Sequence, residues 1–239
     1  MLTAHLKKLR LRTAISAAEE EVIRGLVSET REVGPDQLLV KAGATLDSSI
    51  LLLDGWIVRS KDLATGQRQV TEVHIAGDFV DLHGFTLKQL DHDLVTASDC
   101  TIAIVPHERL VELTERHPHL ARAYWLMTNL DASITREMAL SLGQRPAISR
   151  MAHLFCELHL RLEIVGKTRG DSFDFPLTQR EIAECLGLTV VHVNRTLQAL
   201  RKRGLVEAGG RQVTILDRAG LESVADFDPA YLHLDKRSL

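Results

Sequence analysis

The 239 residues contain no apolar run of the roughly 18 residues that a membrane-spanning helix requires. Met1–Arg12 carries several cations but lacks the apolar stretch of about 7–15 residues that marks a secretory signal. A cytoplasmic protein is therefore expected. Cysteine is scarce: Cys100, Cys156 and Cys185 are odd in number, far apart, and form no C-x-x-C. That excludes a disulfide framework and a zinc ribbon, and three buried thiols are expected instead. No pair among the 11 histidines has a diagnostic metal-ligand spacing, so no metal or other cofactor is expected. A cupin-like metal enzyme would need two or three His and a carboxylate converging inside a barrel. His74, His83 and His92, with Asp78 or Asp81, are the candidates, but their spacings of nine and nine assign them to unrelated strands or loops. The chain is read as a non-enzyme.

Charge of neither sign dominates, for the net charge is −3. Its distribution is uneven. Phe175–Arg211 holds six cations (Arg180, Arg195, Arg201, Lys202, Arg203, Arg211) against Glu181, Glu184 and Glu207. A basic segment on an otherwise acidic chain suits a local polyanion contact.

Ser16 with Glu19 forms a capping box before a short helix, Glu19–Val27. The texture then turns to short β-rich runs: Leu38–Val40, Ile50–Leu53, Trp56–Arg59, Gln69–Ile75, Leu94–Ala97 and Thr101–Val105. Gly43, Gly55, Gly66 and Gly77 punctuate them at steps of 12, 11 and 11, as in an antiparallel sandwich or barrel. Pro106–Arg116 reads as a helix, and Pro118 opens a longer one to about Leu142. On that helix Leu120, Ala123, Met127, Leu130, Ile134 and Met138 make an apolar seam at near-heptad steps. A homodimer through this seam is expected, the alternative being a helix packed on its own β-domain. Gly143–Pro146 reads as a hinge, and Ala147–Ile164 as the next helix.

Leu177–Arg203 is the most specific segment. Thr178 caps a first helix with Glu181 three residues on, and Ile182 and Leu186 form its apolar stripe. Ala183 is small where a second helix must cross, Gly187 turns the chain, and Thr189 caps the second helix. Val193, Leu197 and Leu200 face inward, leaving Val190, Val191, His192, Asn194 and Arg195 outward. This is a helix-turn-helix whose second helix begins with base-reading side chains. Arg donates two bonds to guanine, Asn pairs with adenine, and valine meets thymine methyl groups. Gly204–Glu207, Ala208–Arg211 and Gln212–Ile215 read as strand, tight turn and strand, a wing with Arg211 at its tip. Arg218–Ala225 closes the chain as a helix. Thr178, Gln179, Thr189, Val190, Val191, His192, Asn194, Arg195 and Arg211 are the candidate DNA contacts.

From about residue 10 to 225 the chain resembles the Crp/Fnr family of bacterial regulators. The residues that carry the resemblance are the turn glycines, Gly77-Asp78-Phe79, the long helix from Pro118, and Leu177–Arg203. It implies an α+β fold: an antiparallel β-roll (a double-stranded β-helix) at 1–117, a dimerisation helix and hinge at 118–145, and a winged helix-turn-helix at 146–239. It also implies a homodimer on a palindromic operator, contact with RNA polymerase, and an effector pocket at Gly77, Asp78 and Phe79. Members that bind cyclic AMP hold its phosphate with an Arg-Ser or Arg-Thr pair. Leu94 and Val95 stand about there in this chain, and Asp91 and Asp93 would repel the ligand. Cyclic-nucleotide sensing is thus the lesser expectation, and the effector remains unnamed. With no Cys before Cys100, the N-terminal cysteine cluster of the oxygen-sensing branch is absent. Many relatives carry Glu where Val191 stands, so a different half-site is expected.

Overall fold

The computed structural model describes residues 2–236 and 238; Met1, Arg237 and Leu239 lie outside the described residues. Two helices lead: α1 (Thr3–Arg12) and α2 (Ala17–Gly25). The capping box of α2 is present in both directions, Ser16 accepting from the Glu19 amide and Glu19 from that of Ser16. The β-roll follows as β1 (Glu29–Val33), β2 (Leu38–Val40), β3 (Ser48–Asp54), β4 (Trp56–Asp62), β5 (Arg68–Ile75), a short helix α3 (Gly84–Leu87), β6 (Asp93–Thr96) and β7 (Cys100–Pro106). Its two antiparallel sheets run β1-β7-β3 and β2-β6-β4-β5. In register, Ile50 faces Ile104 and Val58 faces Val73. Ile50, Leu52, Ile57, Val80, Leu94 and Ile102 form a core cluster of the roll. Gly43, Gly55, Gly66 and Gly77 all have positive φ, so each turn needs the residue it has.

The helix α4 (His107–Arg116) leads into α5 (Pro118–Gln144) and α6 (Ala147–Val165). The break between α5 and α6 is narrower than the sequence suggests. Gly143 continues the helix, as a single glycine can at a cost of about 1 kcal/mol. Arg145 and Pro146 turn extended, because Pro146 bars the residue before it from helical backbone. Arg145 is fastened there by an ion pair to Glu137 at 2.7 Å.

The C-terminal part comprises β8 (Thr168–Arg169), β9 (Ser172–Asp174), α7 (Gln179–Leu186), α8 (Val190–Lys202), β10 (Val206–Gly209), β11 (Gln212–Ile215), α9 (Arg218–Ala225) and a 3₁₀ turn at Pro229–Leu232. It does not hang free of the roll. The outer face of β4 and β5 (Val58, Val73, Ile75) belongs to one apolar cluster with Phe155 and Leu158 of α6.

The apolar seam of α5 is real, and most of it packs within the protomer. Leu120, Ala123 and Met127 are buried with Leu6, Leu9 and Phe79, while Leu130 and Ile134 are buried with Leu232. Met138 is half-buried beside Leu154 and Leu186. Five of these six side chains are thus buried inside the protomer. The charged segment α1, which lacks a strong apolar period, is what the sequence reading missed. It caps the roll and supplies much of what the seam covers.

Candidate nucleic-acid interface and sensor cavity

The helix-turn-helix is fixed by the caps its sequence announces. Thr178 Oγ1 accepts from the Glu181 amide, and the Glu181 carboxylate accepts from the Thr178 amide. Gly187 ends α7 at φ +61, and Thr189 Oγ1 accepts from the His192 amide to start α8. Val193 and Leu200 are buried and Leu197 is half-buried, as their spacing demands. The opposite face is open: Val190, Val191, His192 and Arg195 are exposed, with Val191 at 69%. A large apolar side chain left so exposed at a helix start invites a partner surface.

Two candidate contacts already have a partner within the protomer. Asn194 is half-buried and donates its amide to Gln179 Oε1 at 2.9 Å. Arg211 sits at φ +64 in the wing turn after Gly210, the paired left-handed geometry of a tight hairpin, and reaches the Pro176 carbonyl at 3.4 Å. Thr178 and Thr189 spend their hydroxyls on caps. The structure therefore gathers Gln179, Val190, Val191, His192, Asn194 and Arg195 on one surface.

Between the roll and α5 lies a cavity of about 30 Å³ lined by Glu72, His74, Asp78, Phe79, His83 and Asp131, among others. Of the three expected effector-pocket residues, Asp78 and Phe79 reach it and Gly77 does not. Gly77 abuts α1, where a side chain would strike the Ala4 backbone at 2.7 Å, and its carbonyl bonds His5 Nδ1. Asp78 is held by Lys8 at 2.6 Å and Arg161 at 3.0 Å. Burial pushes its pKa up, but those two cations outweigh it and hold the carboxyl well below its ordinary range.

Arg59 ties together two carboxylates that line the cavity. It donates to Glu72 at 2.8 Å, to both oxygens of Asp131 at 3.0 and 3.1 Å, and to the Val80 carbonyl at 2.8 Å. Burial, reinforced by the charge of Asp131, raises the Glu72 pKa well above normal. Burial would raise Asp131 too, but Arg59 brings it down to about 2. Burial keeps His74 neutral and lowers His83 to about 4.

His74 and His83 line this one cavity, and the His83 and His92 rings lie 5.1 Å apart. The nine-residue spacings that seemed to scatter them fail because β5, the α3 turn and the loop before β6 fold back on each other. Arg59, Glu72, Asp131, Lys8 and Arg161 were not anticipated. The available signal was an arginine and a glutamate standing within otherwise apolar strands, Ile57–Ser60 and Val70–Ile75.

Residues 149–224 match the family described as Crp-like helix-turn-helix domain, and residues 30–117 match the Cyclic nucleotide-binding domain. The chain is 26% identical over 220 residues to the Transcriptional activator protein FnrA of Stutzerimonas stutzeri, covering 92% of this chain and 90% of that protein. It is 24% identical to the Transcriptional activator protein anr of Pseudomonas aeruginosa, with the same coverage. The solved structure of FixK2 from Bradyrhizobium japonicum superposes with a TM-score of 0.76 at 23% identity, over 90% of this chain and all of that one. The chain belongs to the Crp/Fnr family.

In this Crp/Fnr protein the cavity between the roll and α5 does not fit a cyclic nucleotide. Small-molecule pockets run to a few hundred Å³, about ten times the space present. Leu94 is buried in the roll core. The cations bonded to the cavity's lining residues, Arg59, Lys8 and Arg161, are already paired with carboxylates. A buried phosphate would meet no unspent positive partner among the described residues.

Proposed function

We propose that this chain is a sequence-specific DNA-binding transcription regulator acting as a homodimer on a palindromic operator. The observation that carries the reading is the N-terminal face of α8, rigidly capped and open to solvent with Val190, Val191, His192 and Arg195 exposed. A recognition helix enters the major groove with these positions near base edges. Arg195 reads guanine, Asn194 is aligned by Gln179 for adenine, and the valines meet thymine methyl groups. Arg211 and the Thr178 end of α7 lie where phosphates pass.

The dimer uses the other side of α5. Ala121, Trp125, Thr128, Ala132, Thr135 and Ala139 recur at steps of 4, 3, 4, 3 and 4, uncharged and exposed or half-buried. That is the spacing of a coiled-coil seam, and Ala132, Thr135 and Ala139 on it are exposed among the described residues. It would set two copies of α8 about 34 Å apart, one helical turn of DNA. The setting is the bacterial cytoplasm, with RNA polymerase as the partner if the protein activates. The chain acts by binding and not as an enzyme.

Binding-site selection with purified protein tests this, followed by Arg195→Ala. The expected result is a palindromic consensus, with discrimination at one base of each half-site reduced by about 1–3 kcal/mol. Equal loss on operator and random DNA would make Arg195 a phosphate contact and remove it from the reading face.

A further inference from the structure

We propose that Glu72, His74 and Asp131 form a binding site for one divalent transition-metal ion, bridging strand β5 of the roll and helix α5. A ligand atom from each of the three lies within 4.8 Å of the others.

The decisive group is His74. It is 1% exposed and lines the cavity, yet among the described residues neither of its ring nitrogens has a hydrogen-bond partner. Buried side-chain polar atoms are ordinarily satisfied, so a wholly unpartnered imidazole points to a missing ligand. Its Nδ1 is 3.7 Å from Glu72 Oε1. The neutral ring offers a lone pair, the form in which histidine binds metals.

Arg59 bears on the charge balance, for its one guanidinium is shared by Glu72 and Asp131. Arg59 bonds Glu72 at Oε2 and not at Oε1. Each carboxylate oxygen retains a second lone pair after accepting one bond. Arg59 is thus an outer partner that orients the ligands, in the way carboxylates and carbonyls orient metal-bound histidine. The other charged or titratable neighbours leave the site open: Asp78 is occupied by Lys8 and Arg161, and His83 Nδ1 lies 3.9 Å from Asp131 Oδ2.

Two carboxylates with one imidazole are a mixed oxygen and nitrogen set, suited to Mn²⁺, Fe²⁺ or Zn²⁺. An all-oxygen site would suit Ca²⁺, and a thiolate site Cu(I). Three protein ligands leave coordination positions for water, for which the cavity has room.

The test is titration of metal-free full-length protein with Co²⁺, whose visible absorption reports coordination by nitrogen and oxygen, with stoichiometry from equilibrium dialysis. One Co²⁺ per protomer is expected, with the band lost and affinity reduced at least about 100-fold in His74→Gln and Asp131→Asn. Asp131 lies on the half-buried flank of α5, so Asp131→Asn carries the test if His74→Gln does not fold by circular dichroism. No bound Co²⁺ in the wild-type protein, or undiminished binding in folded Asp131→Asn, overturns the site. The titration involves no DNA, so its failure and a failure of the operator reading are separate results.

Discussion

Asn194 of the recognition helix donates its side-chain amide to Gln179 at the start of the preceding helix, 2.9 Å away. On the proposed reading, this bond holds Asn194 in one orientation before DNA arrives. Gln179→Ala removes the acceptor and returns Asn194 its rotamer freedom. The expected outcome is a loss of about 1 kcal/mol of preference at a single base pair, with random-DNA affinity unchanged. Competition binding against single-base operator variants measures it.

Val191 is the most exposed apolar residue of that face. Val191→Glu replaces a methyl-seeking surface with an acceptor for the cytosine amino group. The selected half-site should change at one position toward C·G. An identical consensus from the variant would mean that Val191 does not face the bases.

The two faces of α5 make opposite predictions. Ala132→Arg places a charge in the exposed seam and should shift sedimentation toward monomer with little loss of monomer stability. Leu130→Ala should cost about 2–5 kcal/mol in denaturant unfolding and leave the association state unchanged, because Leu130 packs within its own protomer. Monomer formation in Leu130→Ala at native stability would restore the seam first read from the sequence.

Asp81 is fully buried, with Oδ1 accepting from the Ile50 amide and Oδ2 unpartnered. Burial raises its pKa to about 7, against the partial opposition of that amide bond and Arg59. Between the unfolded and folded pKa values the native state binds more protons, so this group's contribution to stability falls as pH rises from about 4 to about 7. Asp81→Asn, neutral and of similar shape, should match the wild type below about pH 4 and exceed it by about 4 kcal/mol near pH 8. Thermal melts of both proteins across that range give the difference directly. A constant gap would show that Asp81 titrates normally.

Arg161 of α6 joins the roll to the C-terminal part through Asp78, the Val73 carbonyl and Glu157. Arg161→Met strips a buried cation from two carboxylates and should cost about 3–5 kcal/mol. Hydrogen exchange should then rise on both β5 and α6. A loss below about 1 kcal/mol would mean that Lys8 alone satisfies Asp78.

Most of the architecture was legible because it rests on local chemistry. Caps at Ser16, Thr178 and Thr189, turn glycines and the Pro118 start need only neighbouring residues, and each stands where its sequence signal lies. What escaped depends on long-range pairing. β1 is made mostly of exposed charged side chains and is a strand only because β7 lies beside it. The heptad of α5 showed which residues are apolar, but periodicity does not name the surface that covers them. Arg59, Glu72 and Asp131 meet only once β4, β5 and α5 are assembled, so their cluster has no linear spacing to read.

Helix α1 also has a bearing on how the chain is made. Arg12 at its end donates to the Leu232 carbonyl at 2.9 Å, and His5 and Lys8 bind Gly77 and Asp78. These contacts tie the helix to residues 70 to 220 positions further along the chain, so it has no docking surface until the roll has been made. Leu2, Leu6 and Leu9, buried in the finished protein with Phe79, Leu110 and Leu120, lack native cover until those residues are in place. A nascent chain carries that apolar stripe unprotected in the meantime.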